Sequence, residues 1–298
     1  MIKDKRVIAL GFFDGVHLGH GALLNKCSEK ARELNAEAAV LTFDVHPDNL
    51  IMHQITRMLN TQRDRDYLLE KYYGIKKVIL THFDEEFMRM PWEKFVEDEL
   101  VNKYGAIHLI AGYDFHFGYR GMGNPERLRE KCAQLGIGCD IMGKVVLDGI
   151  TVSSTYIRGL VAQGEIELAN KFLGHPHTIS GTVVQGRKLG RTIGIPTVNI
   201  PLQADQLAPL YGVYASRVIL PDGSAHEGVT DIGVKPTVAS DAVPAAETYI
   251  IDYEGDLYGR EVRLELYKFL RPEKKFSGVD ELKRVIEGNI QETREYFA

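Results

Sequence analysis

Short apolar runs rich in β-branched residues alternate with longer segments of helical period up to about residue 174. Several of these runs are apolar on both faces, which is typical of strands in a parallel sheet that is covered by helices on both sides. Asn124 followed by Pro125 has the composition of a helix cap and a first helical position. The alternation therefore predicts a Rossmann-like α/β domain. The runs are residues 7–12, 39–43, 77–80, 107–111 and 137–141.

The hydrophobic pattern changes to period two after Gly174, which we predict to be the C-cap of a helix. Residues 262–266 alternate between apolar and polar positions, and residues 221–223 (Pro-Asp-Gly) have the composition of a turn between strands. These features predict an antiparallel β-barrel that closes with one amphipathic helix, whose apolar stripe is expected to be buried. The stripe consists of Leu282, Val285, Ile286 and Ile290.

Length and composition are those of an ordinary folded protein, with 298 residues, 44% hydrophobic and 26% charged. Length alone allows two domains or one large barrel. The change of pattern favours two domains, residues 1–175 and residues 176–298. No apolar stretch reaches the roughly 18 residues that a membrane helix needs.

Net charge indicates which kind of partner the protein binds, and cysteine content indicates which cellular compartment it occupies. The net charge is −5 and the basic residues are scattered, so we expect small-molecule substrates and no nucleic-acid partner. Cys27, Cys132 and Cys139 form neither a disulfide framework nor a Cys-x-x-Cys zinc motif. Free thiols of this kind are typical of a reducing compartment, so we expect a cytoplasmic protein. Separately, we expect it to be a monomer or a weak homo-oligomer.

The segment from Gly11 to His20 connects the first predicted strand with the first predicted helix. Glycines let a backbone approach a ligand closely, and the free amides of a helix start attract anions. His17 and His20 lie one helical turn apart and can point at the same phosphate. Two surface histidines that cap a helix are an equal alternative, and a zinc pair would lack a third ligand. The position at the carboxyl end of a strand favours a nucleotide site without a P-loop.

Three further segments of the first half carry candidate chemistry. Residues 153–155 are three hydroxyl side chains followed one turn later by Arg158, which suits a phosphate clamp better than the simple N-cap that is the alternative. Aromatic loops at residues 42–47 and 112–118 follow the second and fourth predicted strands. Aromatic residues at strand ends belong more often to a core than to a ligand site, so core packing is the first interpretation of either loop alone.

In the second half, Gly186, Gly190 and Gly194 recur at four-residue intervals between strands and predict a loop whose amides can bind phosphates. A surface loop without a ligand is the slightly favoured alternative for this feature alone. Thr197 and Asn199 follow, two residues apart, so that on a strand they share a face and can bind one hard cation together with phosphate oxygens.

Glu247 begins a strand-like run and shares a face with Tyr249, Ile251 and Tyr253. A carboxylate on an apolar face needs a partner or a chemical function. A glutamate at the solvated mouth of the barrel is an equal alternative on spacing alone.

The four motifs of the first half, at residues 11–20, 43–47, 112–118 and 153–158, resemble those of the bacterial bifunctional riboflavin kinase/FMN adenylyltransferase (FAD synthetase) family. The resemblance implies that this half transfers AMP from ATP to the phosphate of FMN and releases pyrophosphate. FMN already carries a charged nucleophile, so alignment and electrostatics suffice, with Mg²⁺ or Mn²⁺ as the expected helper.

Roles for individual residues of the first half follow from the resemblance. His17 and His20 would stabilise charge on the ATP phosphates, while a clamp would hold the pyrophosphate. The clamp is Ser154, Thr155 and Arg158. Other contacts to ATP would come from Gly11, Phe13, Asp14, Gly15, Gly19 and Asp114. The flavin would contact Phe43, His46, Pro47, Phe115 and Phe117.

The second half resembles the riboflavin kinase module of the same family through residues 186–199, 232–237, 256–259 and 271–276. That module is a six-stranded barrel that transfers the γ-phosphoryl group of ATP to the ribityl 5′-hydroxyl of riboflavin. A neutral hydroxyl is a poor nucleophile, so this reaction benefits from a base. By resemblance Thr197 and Asn199 hold Mg-ATP, Glu247 is the general base and Arg271 contacts the flavin. The ATP loop would comprise Gly186, Gly190, Arg191, Gly194 and Pro196.

Four positions depart from the family pattern. Val45, Ile195 and Val198 are apolar replacements, whereas Asp231 places a charge where an amide is usual and is expected to lower affinity for nucleotide or flavin. The hypothesis is therefore a bifunctional enzyme that forms FMN in its second half and FAD in its first. Its rivals are a non-catalytic flavin and nucleotide sensor, a kinase whose first half has decayed, and a nucleotidyltransferase for another small phosphate.

Overall fold

The computed structural model describes residues 5–51, 55–186, 190, 194–234 and 243–298. Its contacts divide the chain into two compact units. The first unit comprises Met1–Thr56 and Arg65–Ser153, and the second comprises Arg57–Asp64 and Ser154–Ala298. The domain boundary at residue 175 stays a prediction.

Five parallel strands form the sheet of the first unit, as the apolar runs predicted. The sheet order is β3-β2-β1-β4-β5, so the strand order reverses between β1 and β4. Open α/β sheets bind ligands at the carboxyl ends of the strands beside such a reversal. The strands are β1 (Arg6–Leu10), β2 (Glu37–Phe43), β3 (Lys77–Thr81), β4 (Ala106–Gly112) and β5 (Gly138–Met142).

Helices cover both faces of this sheet, which explains why its strands are apolar on both sides. Val7 and Ala9 pack in one core cluster, whereas Ile8 and Leu10 pack in the other. The helices are α1 (Leu18–Glu33), α2 (Pro47–Ile51), α3 (Gln62–Tyr73), α4 (Glu85–Met88), α5 (Trp92–Lys94), its continuation as a π-helix (Phe95–Lys103), and α6 (Pro125–Gln134). The predicted cap of α6 is confirmed, because the Asn124 side chain accepts a hydrogen bond from the Arg127 amide at 2.9 Å.

A short hairpin, β6 (Val146–Leu147) and β7 (Ile150–Thr151), ends the first unit. The second unit continues with α7 (Ser154–Gln163) and α8 (Ile166–Leu173). Gly174 terminates α8 in the left-handed conformation at φ 80°, which confirms the predicted C-cap.

Six antiparallel strands form the sheet of the second unit, in the order β8-β13-β10-β11-β12-β9. The amide of Val184, just after β8, donates to the Asn199 carbonyl on β9 at 2.9 Å, so the two edges of the sheet approach each other as in a barrel. The predicted six-stranded barrel is thereby confirmed. The strands are β8 (His177–Thr182), β9 (Thr197–Pro201), β10 (Gly212–Ile219), β11 (Ala225–Val234), β12 (Pro244–Ile250) and β13 (Glu261–Pro272).

The C-terminal helix, α9 (Val279–Phe297), packs against β10 and β11. Its apolar stripe was expected to be buried, but Leu282, Val285, Ile286 and Ile290 are only partly buried. The physical reason is that Leu282 and Ile286 face a cavity instead of close-packed neighbours. Within the described ranges, no helix combines the length and the apolar character required to cross a membrane.

Candidate active sites

The turn after β1 places several backbone groups in uncommon conformations. Phe13, Gly15 and Val16 all have positive φ, at 58°, 80° and 43° respectively. Only glycine adopts this region without strain, so the Phe13 and Val16 conformations must be held by the surrounding packing. Both side chains are buried in the core beneath α1, and Asp14 between them is also buried. The turn is therefore a rigid feature that delivers the chain to His17.

His17 caps α1 and lies against His20. The Nδ1 atom of His17 accepts a hydrogen bond from the His20 amide at 3.2 Å, and the two rings stack with centroids 3.6 Å apart. A side chain at Gly19 would place its Cβ 3.0 Å from Cε1 of His17, so this position needs glycine for the ring to lie there. The structure thus brings together the two histidines that the motif singled out.

The histidine pair is not a pair of fixed positive charges. Burial lowers the pKa of His20 well below its ordinary value, and the charges of His17 and Arg65 act in the same direction. The Nδ1 atom of His17 accepts a hydrogen bond and so carries no proton in this arrangement. At neutral pH, therefore, the His20 ring is uncharged and can donate an N–H to an anion.

Arg65, on α3, is a residue of this region that the sequence analysis missed. Its side chain is only 2% exposed, and Nη1 donates to the Phe12 carbonyl at 2.7 Å. The guanidinium also reaches Thr42 Oγ1 at 3.3 Å and the Phe43 carbonyl at 3.4 Å. A buried arginine among the polar residues of an amphipathic helix has no distinct sequence signal, because exposed arginines occupy the same pattern.

The aromatic loops after β2 and β4 lie partly in the core, as their first interpretation held. Phe43 and Phe117 are buried in the core cluster beneath the π-helix, and Phe115 stacks on Phe117 with ring centroids 5.4 Å apart. His46 contacts the Phe12 ring at 4.6 Å, which places it beside the turn after β1. The remaining positions are exposed or loop-like: Asp114 is exposed, Pro47 begins α2, and Gly11 follows β1.

An ion pair holds the loop after β2 from outside. Asp44 Oδ2 lies 2.6 Å from His82 Nδ1, and Asp44 Oδ1 accepts from the Phe83 amide at 3.1 Å. The hydrogen bond to Asp44 raises the pKa of His82. Partial burial opposes ionisation of Asp44, but its hydrogen bonds with His82 and the Phe83 amide outweigh that effect and lower the pKa of Asp44. The pair fixes the backbone immediately before His46.

The predicted clamp belongs to the second unit, in which α7 begins at Ser154. Arg158 Nη1 lies 3.5 Å from Thr155 Oγ1, so the guanidinium and this hydroxyl share one side of the first turn. The buried residues Ile157, Leu160 and Val161 fix the opposite side, as expected.

A cavity of about 390 Å³ opens at the barrel beside α9. Glu247, Thr197 and Arg271, which the sequence analysis assigned to a base, a metal ligand and a flavin contact, all line it. The cavity therefore has a mixed character, with a few polar groups set in apolar walls, as ligand sites typically have. The other lining residues are Gly190, Ile195, Val213, Val229, Asp231, Tyr249, Phe276, Val279, Leu282, Ile286 and Asn289.

The polar edge of the cavity is built by three neighbouring strands. Glu247 on β12 pairs with Asn199 on β9 and with Asp231 on β11. Thr197 Oγ1 donates to Glu247 Oε1 at 2.6 Å. A Cβ at Gly186 would lie 2.5 Å from Nδ2 of Asn199, so the glycine loop approaches this edge closely. The side chains of Thr197, Asn199 and Glu247 thus form one cluster of hard oxygen donors.

The glycine loop lies partly outside the described residues, and so does its predicted Arg191. Of the rest, Gly190 lies so close to the Ile195 carbonyl that a Cβ would come within 2.2 Å of it. Gly194 has φ 79°, in the left-handed region. Both positions therefore require glycine.

Arg271, on β13, lines the same cavity beside α9. Its Nε donates to Asn289 Oδ1 at 3.3 Å, and its guanidinium lies 5.7 Å from the centre of the Phe276 ring. Burial lowers the pKa of Arg271, and the carboxylate of Asp231 opposes that effect. The carboxylate of Asp231, which departs from the family pattern, thus interacts electrostatically with the Arg271 guanidinium in the same cavity. The sequence analysis missed Asn289 because it lies on the apolar stripe of α9. A single polar residue within such a stripe looks like a gap in the hydrophobic pattern and does not indicate a site.

A second, smaller cavity of about 50 Å³ shares Thr197 with the first. Pro196, which the sequence analysis assigned to ATP, lines it together with Tyr253, Asp256 and Tyr258. These last three residues were not selected as site residues, although the motif at residues 256–259 was the available signal. Thr197 therefore lines both cavities.

Comparison with known proteins agrees with this arrangement. The FAD synthetase family model matches residues 1–156, and the riboflavin kinase family model matches residues 173–297. The chain is 37% identical to the bifunctional riboflavin kinase/FMN adenylyltransferase of Listeria monocytogenes, over 99% of this chain and 93% of that protein. It is 34% identical to the Bacillus subtilis protein of the same description, over 100% of this chain and 95% of that protein.

One solved structure, described as a macrolide-efflux protein from Streptococcus pneumoniae, has a TM-score of 0.84 at 27% identity and covers 99% of this chain and 95% of that chain. The architecture is therefore shared over the whole length. The two matching family models define a two-module transferase of flavin metabolism. The chain belongs to the bifunctional riboflavin kinase/FMN adenylyltransferase family. It phosphorylates riboflavin to FMN with ATP and adenylylates FMN to FAD.

Proposed function

We propose that the barrel cavity is the site of riboflavin phosphorylation and that Glu247 is its general base. The observation that carries the proposal is the 2.6 Å hydrogen bond between Thr197 and Glu247 at the edge of the large cavity. The carboxylate accepts the proton of the ribityl 5′-hydroxyl as that oxygen attacks the γ-phosphorus of ATP and ADP leaves. Arg271, which lines the same cavity, would contact the flavin.

We propose Mg²⁺ as the metal of this site, with Thr197 and Asn199 among its ligands. A hydroxyl, an amide and a carboxylate within one cluster fit a hard cation, since all three offer oxygen. When bound, the ion would neutralise charge on the phosphates of ATP. The glycine loop at Gly186 and Gly190 would contact those phosphates through backbone amides.

We propose that FAD forms in the first half, with ATP bound at the turn before α1. His17 and His20 donate hydrogen bonds to its phosphates. A phosphate oxygen of FMN attacks the α-phosphorus and pyrophosphate leaves, so no base is required. His46, beside Phe12, would contact the flavin.

The remaining proposals concern organisation. The domain boundary lies near residue 175, and the protein acts in the cytoplasm as a monomer or weak homo-oligomer without a nucleic-acid partner. The net charge of −5 supports the expected absence of a nucleic-acid partner, and the three free cysteines support a reducing compartment.

The experiment supplies riboflavin, ATP and Mg²⁺ and separates FMN from FAD. Glu247→Gln should abolish FMN formation and leave FAD formation from added FMN intact, whereas His20→Ala should do the reverse. Glu261→Gln, an exposed carboxylate on β13, and His226→Ala, a partly exposed histidine on β11, are the matched controls. If either test variant stops both reactions while remaining folded, the assignment of separate sites is wrong.

A further inference from the structure

The buried guanidinium of Arg65 lies between the loop that follows β1 and the loop that follows β2. These are the loops that the proposal assigns to ATP and to FMN. Its Nη1 donates to the Phe12 carbonyl at 2.7 Å, directly before the rigid turn at Phe13. Its Nη2 donates to the Phe43 carbonyl at 3.4 Å, at the start of the loop that carries His46. One planar group is thus bonded to the carboxyl ends of both β1 and β2.

A second set of contacts strengthens the same link. Thr42 Oγ1 donates to the Phe12 carbonyl at 2.9 Å and lies 3.3 Å from Arg65 Nη1, so two donors meet at one carbonyl oxygen. The guanidinium carbon lies 4.5 Å from the centre of the Phe12 ring, and the centre of the His46 ring lies 4.6 Å from the same point. Arg65 therefore fixes both the backbone and the ring of Phe12.

We propose that Arg65 is a positioning residue for FAD formation, which aligns the turn that binds ATP with the loop that contacts FMN. The inference rests on the proposed assignment of that turn and loop to the two substrates. Attack by a phosphate oxygen on the α-phosphorus requires the two substrates to be in line, and misplacement by about 1 Å can cost about 100-fold in rate. Arg65 contributes through Phe12 and Phe43, because these are the groups that it touches.

The chemistry of the side chain is suited to this position. Arginine presents its donors on separate nitrogens of a rigid planar fork, whereas the three donors of lysine all lie on one nitrogen and span a shorter distance. A buried cation that only filled space would not need acceptors on two strands, and its burial would be costly without them. The charge of Arg65 also helps to keep His20 neutral, so the guanidinium affects the phosphate-binding histidines as well as the loops.

The test measures kcat and KM of FAD formation in Arg65→Met and Arg65→Lys, with riboflavin phosphorylation measured on the same preparations. Methionine keeps the apolar stem, and we expect kcat for FAD formation to fall about 10-fold or more while riboflavin phosphorylation stays within about twofold of wild type. Lysine keeps the charge and one donor, so it should recover part of the loss. Arg63→Met, an exposed arginine on α3 that pairs with Glu261, is the matched control and should change neither reaction.

Thr42→Val tests the same carbonyl without removing a buried charge, and we expect a smaller fall in kcat for FAD formation. If Arg65→Met does not fold, Thr42→Val and Arg65→Lys together test the positioning role of Arg65. Wild-type FAD formation in folded Arg65 variants would overturn the proposal, as would an equal loss of both reactions or no recovery with lysine. His20→Ala separates the two hypotheses: if it leaves FAD formation intact, the assignment of the turn to ATP fails, whatever Arg65 does.

Discussion

His177 is a buried histidine of the barrel whose chemistry makes the stability of the second unit depend on pH. The side chain is 0% exposed on β8, and within the described part of the chain neither ring nitrogen has a hydrogen-bond partner. Burial, with a smaller effect from the charge of His175, lowers its pKa from 6.5 to about 3. The folded protein therefore holds this ring neutral at any ordinary pH.

The sign of the effect follows from proton binding. Below pH 6.5 the unfolded chain binds a proton at this histidine and the folded chain does not, so stability falls as the pH falls and the loss continues down to about pH 3. At pH 5 the loss amounts to about 2 kcal/mol relative to neutral pH. Above pH 6.5 both states are neutral at His177, and it contributes no pH dependence.

Replacement by phenylalanine removes the titrating group and the two unsatisfied nitrogens. We expect His177→Phe to lose about 2 kcal/mol less than wild type between pH 7.5 and pH 5. Urea unfolding followed by circular dichroism measures this. If m is about 2 kcal/mol/M, the urea midpoint of the barrel transition should fall by about 1 M less in His177→Phe than in wild type between the two pH values. His226→Phe, at a partly exposed histidine on β11, is the control. Equal pH shifts in wild type and His177→Phe would refute the reasoning.

Two further predictions concern the loops around the sites. Asp44→Asn should lower the pKa of His82 toward its ordinary value, because the hydrogen bond with that carboxylate is the main cause of its increase; NMR titration of the His82 ring would measure this, and an unchanged pKa would contradict it. Gly186→Ala should raise the KM for ATP in FMN formation about 10-fold, since its Cβ would lie 2.5 Å from Nδ2 of Asn199. FAD formation should not change, and Gly288→Ala, where a Cβ meets open space, should leave both reactions as they are.

The sequence was sufficient for the architecture because burial on both faces leaves a direct signal. Val7 to Leu10 are apolar at every position, since alternate residues face different core clusters on the two sides of the sheet. The histidine pair was also predictable, because His17 and His20 are close along one helical turn and their proximity depends on local geometry alone.

Groups that act across the fold were not predictable in this way. Arg65 follows Arg63 in a polar stretch, and only the pairing of β1 with β2 places the Phe12 and Phe43 carbonyls where one guanidinium reaches both. Asn289 sits on an apolar stripe, and its role depends on a cavity that forms only when α9 packs beside β10 and β11. Hydrophobic periodicity records which face is buried but not whether that face meets a core or a cavity.

The charges around the barrel cavity bear on how a protein of net charge −5 binds ATP. Among its described lining residues, the carboxylates of Asp231 and Glu247 face the single guanidinium of Arg271. Such a cavity suits riboflavin, which carries no charge, but by itself it would repel the phosphates of ATP. The proposed binding of ATP at the edge formed by Thr197 and Asn199 therefore needs positive charge beyond the described lining residues, from backbone amides, from a cation, or from basic residues that lie outside the described part of the chain, such as Arg191. That requirement is an electrostatic argument for the proposed Mg²⁺, independent of the geometry of its ligands.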